Sequence, residues 1–247
     1  MKKSTALFAV ALACAHSPLM ASDVDSAWHT SAELGAISTT GNTVGTSVTG
    51  KVDSRQELED WSNQYIVSGF FKEDEVAAKD GSRVAKRSAE RFSLSAKAAY
   101  KLVKADEKLF VLAAYVDDKF GAYTTYSTMA VGHATRWYKS PDASVDVEIG
   151  PGYFSGERAN GDTESGFTVR GAAAMRWQVS PSAQFTHTVS VERGTSNVRS
   201  SAEAALSTKI NGTMQMKAAI VARNDTNVPV TKKNTDTQTS LSLVYSF

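Results

Sequence analysis

Between Ser88 and Leu102 the chain alternates in a way that fixes its local geometry. Phe92, Leu94, Ala96, Ala98, Tyr100 and Leu102 fall at one parity, and Arg91, Ser93, Ser95, Lys97 and Lys101 at the other. Successive side chains of an extended strand point to opposite faces, so this segment presents one apolar and one polar surface. Alternating segments of about ten residues are the signature of a membrane-crossing β-strand with lipid on one side and a polar lumen on the other. The pattern recurs twelve times, near 27–38, 43–53, 61–71, 88–102, 108–117, 124–138, 143–154, 165–178, 183–193, 201–210, 213–224 and 237–247. The expected fold is all-β, a transmembrane antiparallel up-and-down β-barrel of about 12 strands. An even count puts both termini on one side, which in bacterial barrels is the periplasm.

The connections divide in the same sense. Those after strands 4, 6, 8 and 10 are short, and Asn211-Gly212 carries the commonest hairpin-turn chemistry. Thr40-Gly41-Asn42 reads as another tight turn, since Gly and Asn adopt positive φ at low cost. Longer connections fall on the opposite side. The mixed-sign run from Lys72 to Arg87 reads as a mobile extracellular loop. Its Lys79, Arg83, Lys86 and Arg87 are suited to contact with lipopolysaccharide.

Aromatic residues give an independent check. Trp28, Trp61, Trp137 and Trp177 all fall at the periplasmic strand ends, joined by Tyr100, Tyr138, Phe185 and Tyr245. Phe70, Phe71, Phe120, Tyr126, Tyr153, Phe154 and Phe167 fall at the other ends. Two aromatic girdles are what amphipathic rings form at the two interfaces of a bilayer, whereas a soluble β-sandwich would scatter them. The last strand alternates Leu241, Leu243, Tyr245 and Phe247 on one face. A terminal aromatic on such a strand resembles the signal read by the outer-membrane barrel assembly machinery.

The N-terminus refines the compartment. Lys2 and Lys3, a short apolar run and Ala21 read as a signal peptide over residues 1–21, leaving 22–247 as a single outer-membrane β-barrel domain. The rival reading, a lipoprotein anchor at Cys14, lacks a leucine three positions earlier. Cys14 is the only cysteine, so the exported chain has no disulfide or thiolate chemistry. No later stretch approaches the roughly 20 apolar residues of a membrane-spanning helix. Without the leader, 25 basic residues face 26 acidic ones, a net charge of −1. That balance speaks against a nucleic-acid partner, which would demand a basic excess.

Several segments resemble a bacterial family of unknown function described as salt-induced outer membrane proteins. They are Trp28 with Ala32-Glu33-Leu34-Gly35, Thr40-Gly41-Asn42-Thr43, Asp118-Lys119-Phe120, Gly150-Pro151-Gly152-Tyr153, Lys232-Lys233 with Asp236-Thr237, and Leu243-Val244-Tyr245-Ser246-Phe247. Val131-Gly132-His133-Ala134 departs from the family's glycine-aromatic pattern. The resemblance implies a barrel in the bacterial outer membrane, and brings no catalytic residues.

Candidate chemistry is sparse. His29, Ser31 and Glu33 alternate on one face of the first strand, which invites a lipid-acting enzyme reading. A hydrolase needs nucleophile, base and orienting group within hydrogen-bond reach, and residues two apart on a strand are about 6.5 Å apart. Ordinary lumen residues are the expected reading, with no catalysis, cofactor or metal. Among histidines, His29, His133 and His187 stand on separate strands. The acidic loop Asn160-Gly161-Asp162-Thr163-Glu164 is a solvated loop more readily than a calcium site. A polar lumen face is expected to hold Glu33, Lys51, Arg91, Lys97, Lys101, Arg136, Asp146, Glu148, Arg170, Arg176, Glu192, Glu203, Lys209 and Lys217. Asp146 and Glu148 are expected to neighbour Arg136, Arg170 and Arg176, either closing the lumen with ion pairs or lining a narrow pore. The leading reading is a narrow channel or an envelope protein related to salt stress. A lipid-acting enzyme and a soluble periplasmic β-domain are the alternatives.

Overall fold

A computed structural model describes residues 27–39, 44–78, 82–103, 106–228 and 233–247. The expected signal peptide with Cys14, the Thr40-Gly41-Asn42 turn, Lys79 and Lys232 lie outside these residues. Twelve strands close into one antiparallel barrel in simple sequence order. They are β1 Trp28–Thr39, β2 Gly45–Glu57, β3 Trp61–Ala77, β4 Arg83–Lys101, β5 Glu107–Asp118 and β6 Tyr123–Lys139. The second half comprises β7 Ala143–Arg158, β8 Thr163–Ser180, β9 Ala183–Arg193, β10 Val198–Lys209, β11 Met214–Asp225 and β12 Thr235–Ser246. Closure gives every strand two neighbours, the arrangement by which a sheet crosses a membrane, although β1 and β12 pair over only five residues.

The outward faces are apolar and open to the surroundings. Leu34, Leu94, Val111, Met129, Ile149, Val169, Ile220 and Leu243 all point out and are exposed. Trp28, Trp61, Trp137 and Trp177 share that surface at the end of the barrel that carries the termini. Trp61 and Phe71 stand ten residues apart on β3, as do Trp177 and Phe167 on β8. At about 3.3 Å per residue and a tilt near 40°, ten residues rise about 25 Å, the height of a barrel's lipid-facing band.

Parity corrects the second aromatic group. Phe71, Tyr153 and Phe167 point outward and are exposed, whereas Tyr123 and Phe154 are buried inside. Phe70 must oppose its neighbour Phe71, and Tyr126 stacks on interior side chains. Position along a strand places a residue in depth; only parity decides lipid or lumen.

The run from Lys72 to Arg87 is a second departure. Most of it continues the β3–β4 hairpin, with Glu73 opposite Arg87 and Glu75 opposite Ala85, after a bulge between Lys72 and Glu73. Cross-strand charge pairs hold this part: Arg87 lies 3.3 Å from Glu73 and Arg83 lies 3.9 Å from Glu75. With charges on both faces, the ladder persists where hydrophobic alternation has ended.

β6 and β7 approach each other unusually closely. Their ladder lacks the pairs between Ala130–Gly152 and His133–Ile149, where Pro151 has no N–H to give. A β-carbon on Gly132 would strike the Ile149 carbonyl oxygen, and one on Gly150 the Val131 carbonyl oxygen. Both positions require glycine because two backbones meet there.

Candidate functional site

The inward faces form the candidate site. One wall is bulky and partly apolar: Phe110, Ala99 and Ala130 are buried together, with Leu112 and Ala134 against them. The Lys97 ammonium lies 5.9 Å from the Phe110 ring centre, and it reaches across to ion-pair with Glu148 on β7. The wall made by β12, β1 and β2 carries small inward residues, Gly35, Ser47, Thr49, Ser240 and Ser242.

Ion pairs brace the lumen at several levels. Asp146 bridges two arginines, taking Arg136 Nε at 2.8 Å and Arg176 Nη1 at 3.2 Å. Arg170 pairs instead with Glu192 on β9 at 3.4 Å, and Glu148 turns to Lys97. Of the five expected neighbours, Arg136, Asp146 and Arg176 therefore form one cluster, while Glu148 and Arg170 serve separate contacts. Lys217 lies between two carboxylates, 3.2 Å from Glu33 and 3.0 Å from Glu203. Glu33 also accepts a hydrogen bond from the buried Ser242 hydroxyl at 2.7 Å. This commits Glu33, and His29 and Ser31 share no hydrogen bond among the described residues.

Towards the end opposite the termini, side chains cross the lumen. The Arg199 guanidinium from β10 lies 3.9 Å from the Tyr126 ring centre, 4.5 Å from that of Phe154 and 5.1 Å from that of Tyr123. Its Nε sits 3.1 Å from Asp225. Arg91 donates to Asp118 at 2.5 Å and to the Tyr126 hydroxyl at 3.0 Å. Tyr123 donates to Glu164 at 2.8 Å, and Glu164 also holds Arg158 and Ser196. Thr128 on β6 reaches Glu192 on β9 at 3.4 Å. Cations over aromatic faces in a partly dry interior contribute about 0.5–2 kcal/mol each.

Sequence reasoning missed this constriction for one reason. Arg199, Asp118, Arg158 and Glu164 all fall just beyond the strand ends that hydrophobic alternation marks. The ladders run on past the apolar band, so inward residues continue where outward ones cease to be greasy. Counting parity outward from a confident strand centre recovers them.

The family described as "Protein of unknown function, DUF481" matches residues 32–247. The chain belongs to that family. An uncharacterized protein of Escherichia coli (strain K12), YdiY, is 28% identical over 161 residues, 65% of this chain. The chain covers 63% of that relative's length. An outer membrane channel from Pseudomonas putida F1 superposes with a TM-score of 0.55 at 11% identity, covering 94% of this chain and 100% of the channel. The NanC porin gives 0.53 at 7% identity, covering 89% and 98%. At such identities the likeness concerns the fold, and the fold is that of an outer-membrane β-barrel.

Proposed function

We propose that this family member is an integral outer-membrane barrel that acts as a narrow, non-enzymatic conduit for small hydrophilic solutes. The observation that carries the reading is the mismatch between barrel size and lumen filling. Eight strands enclose an interior just wide enough for side chains to fill. Twelve strands spaced about 4.8 Å apart and tilted near 40° hold opposite walls about 24 Å apart. Bulky residues crowd the β4–β8 side, while the inward residues of β12, β1 and β2 include the small Gly35, Thr49, Ser240 and Ser242. Charged groups line the lumen at several levels, Lys97 with Glu148, Asp146 with its two arginines and Lys217 with its two carboxylates, and such groups set selectivity in a narrow pore.

In this reading the termini and the four tryptophans face the periplasm, and the tall β3–β4 hairpin faces outward, near lipopolysaccharide. The short connections on the terminus side, such as 58–60 and 140–142, support that orientation. Planar-bilayer recording on the refolded protein tests it. Small, reproducible conductance steps are expected; a protein that inserts without any steps is a plugged structural barrel instead.

A further inference from the structure

β8 outruns its neighbour β9 at the end of the barrel opposite the termini. β9 pairs with it only as far as Val169–Arg193, while β8 stays paired with β7 up to Glu157–Thr163. The β9–β10 turn borders the difference, closed by a Gly194 N–H to Asn197 carbonyl bond of 2.9 Å. Ser196 donates to Glu164 on β8. Asn197 donates to Asp225 at 2.9 Å and accepts from the Thr226 N–H at 3.0 Å. The turn is therefore tied to β8 and to the end of β11.

Between this turn and β8 lies a pocket of about 420 Å³, its open mouth included, within the size range of small-molecule sites. Glycine keeps it empty: a β-carbon built on Gly166 meets no atom within 4 Å. Gly166 shares the parity of Thr168 and of the lumen residue Arg170, so the space belongs to the lumen. Phe154, Glu164, Thr168, Glu192 and Arg199 also line it.

The polar walls have hydrogen-bonding capacity to spare. Arg199 commits Nε to Asp225 at 3.1 Å, and its two terminal amino groups donate to no side chain or carbonyl among the described residues. The Glu192 carboxylate has two long contacts, Thr128 and Arg170 at 3.4 Å each, where a carboxylate offers about four acceptor sites. The Thr168 hydroxyl is buried without a protein partner, and a turn about χ1 exchanges it with its methyl group. Each charge on the wall has its counter-charge: Arg199 with Asp225, Glu192 with Arg170 and Glu164 with Arg158. Such a wall offers donors and acceptors side by side and no net field to attract an ion.

We propose that this pocket is a saccharide subsite that holds one uncharged pyranose ring of a solute in the lumen. Adjacent sugar hydroxyls donate to Glu192, hydroxyl oxygens accept from the Arg199 amino groups, and the C–H surface of the ring lies against Phe154. The proposal rests on the conduit reading for the solute's passage and names its class. Occupancy is measured without current, so a barrel that conducts but binds no sugar overturns this site alone. A barrel that binds sugar without conducting overturns the conduit alone.

The test is saturation-transfer NMR on the full-length chain, refolded in an amine-oxide detergent without a sugar head group. Methyl α-glucopyranoside is expected to bind saturably, and glucuronate and glucosamine, one anionic and one cationic, at least about tenfold more weakly. Gly166→Leu fills the pocket and abolishes binding. Glu192→Gln keeps the shape, removes the charged acceptor and weakens binding about tenfold, the scale of one charge-assisted hydrogen bond. Heat-modifiable gel migration verifies each fold, and if one variant misfolds the other decides. No saturable glucoside signal, equal or tighter binding of either charged sugar, or unchanged binding in the folded variants overturns the proposal. Added lipopolysaccharide is expected not to compete; competition would show that membrane saccharide, not a lumen solute, is the ligand, and would overturn the assignment.

Discussion

Arg199 on β10 and Tyr126 on β6 meet face-on at 3.9 Å although four strand positions separate them around the wall. Side chains from separate parts of the circumference thus touch in the lumen and constrict it. Truncating Arg199 removes the bridge while leaving every backbone hydrogen bond in place. Arg199→Ala is expected to enlarge the single-channel step and to lower stability by about 1–2 kcal/mol, the sum of a few cation–ring contacts. An unchanged step size places the constriction elsewhere.

Lys217 is the sole ion-pair partner of both Glu33 and Glu203 among the described residues. Replacing it by Met leaves two carboxylates facing each other in a secluded lumen. Removal of one partner from a buried pair costs about 3–5 kcal/mol, and partial exposure of Glu203 puts this case near about 3 kcal/mol. Urea unfolding in micelles is expected to show that loss, and Glu33→Gln/Glu203→Gln in the Lys217→Met background to recover most of it. A loss that the double change does not relieve argues that packing, not charge, is responsible.

How much of this was readable from sequence depended on which face a residue occupies. Strand number and the outward placement of Trp28, Trp61, Trp137 and Trp177 follow from apolar alternation, because lipid enforces it over most of the outer face, His133 between Leu109 and Ile149 being a departure. The lumen imposes no such rule. Phe110 and Phe154 point inward beside Lys97 and Arg199, so hydrophobicity alone assigns them to lipid. Glu73 and Arg87 extend a ladder whose one large apolar pair, Val76 with Val84, is too little to announce it. Pairing across the lumen, such as Lys97 with Glu148, depends on the curvature of the closed wall, which no local pattern records.

Gly132 and Gly150 mark where β6 and β7 come closest. Gly150→Ala puts a methyl group into the Val131 carbonyl, with no flexible side chain to yield. Overpacking of this kind costs about 1–3 kcal/mol. The folded, heat-modifiable fraction after refolding is expected to fall, whereas Gly212→Ala, with open space around it, leaves it unchanged. Equal effects of the two changes would show that the close approach carries no strain.

Phe247 supplies two hydrogen bonds to Thr30 at the base of a seam only five pairs long, and its ring lies 5.7 Å from that of Tyr245. Deleting Phe247 removes a large share of what closes the barrel. Assembly into the outer membrane is expected to drop several-fold at equal synthesis, each lost hydrogen bond contributing about 1 kcal/mol. Phe247→Leu, which keeps the backbone bonds, is expected to assemble better than the deletion. Wild-type membrane levels of the deletion variant would contradict this role.

Trp28, Trp61, Trp137 and Trp177 face outward near one end of the barrel, and their fluorescence reports directly whether that surface meets lipid. In liposomes containing phospholipids brominated near the carbonyl end of the acyl chain, tryptophan emission is predicted to be strongly quenched. Bromination near the methyl end is predicted to quench less, and aqueous iodide little. Quenching by iodide with no response to brominated lipid would place these residues in water and contradict a membrane-spanning barrel.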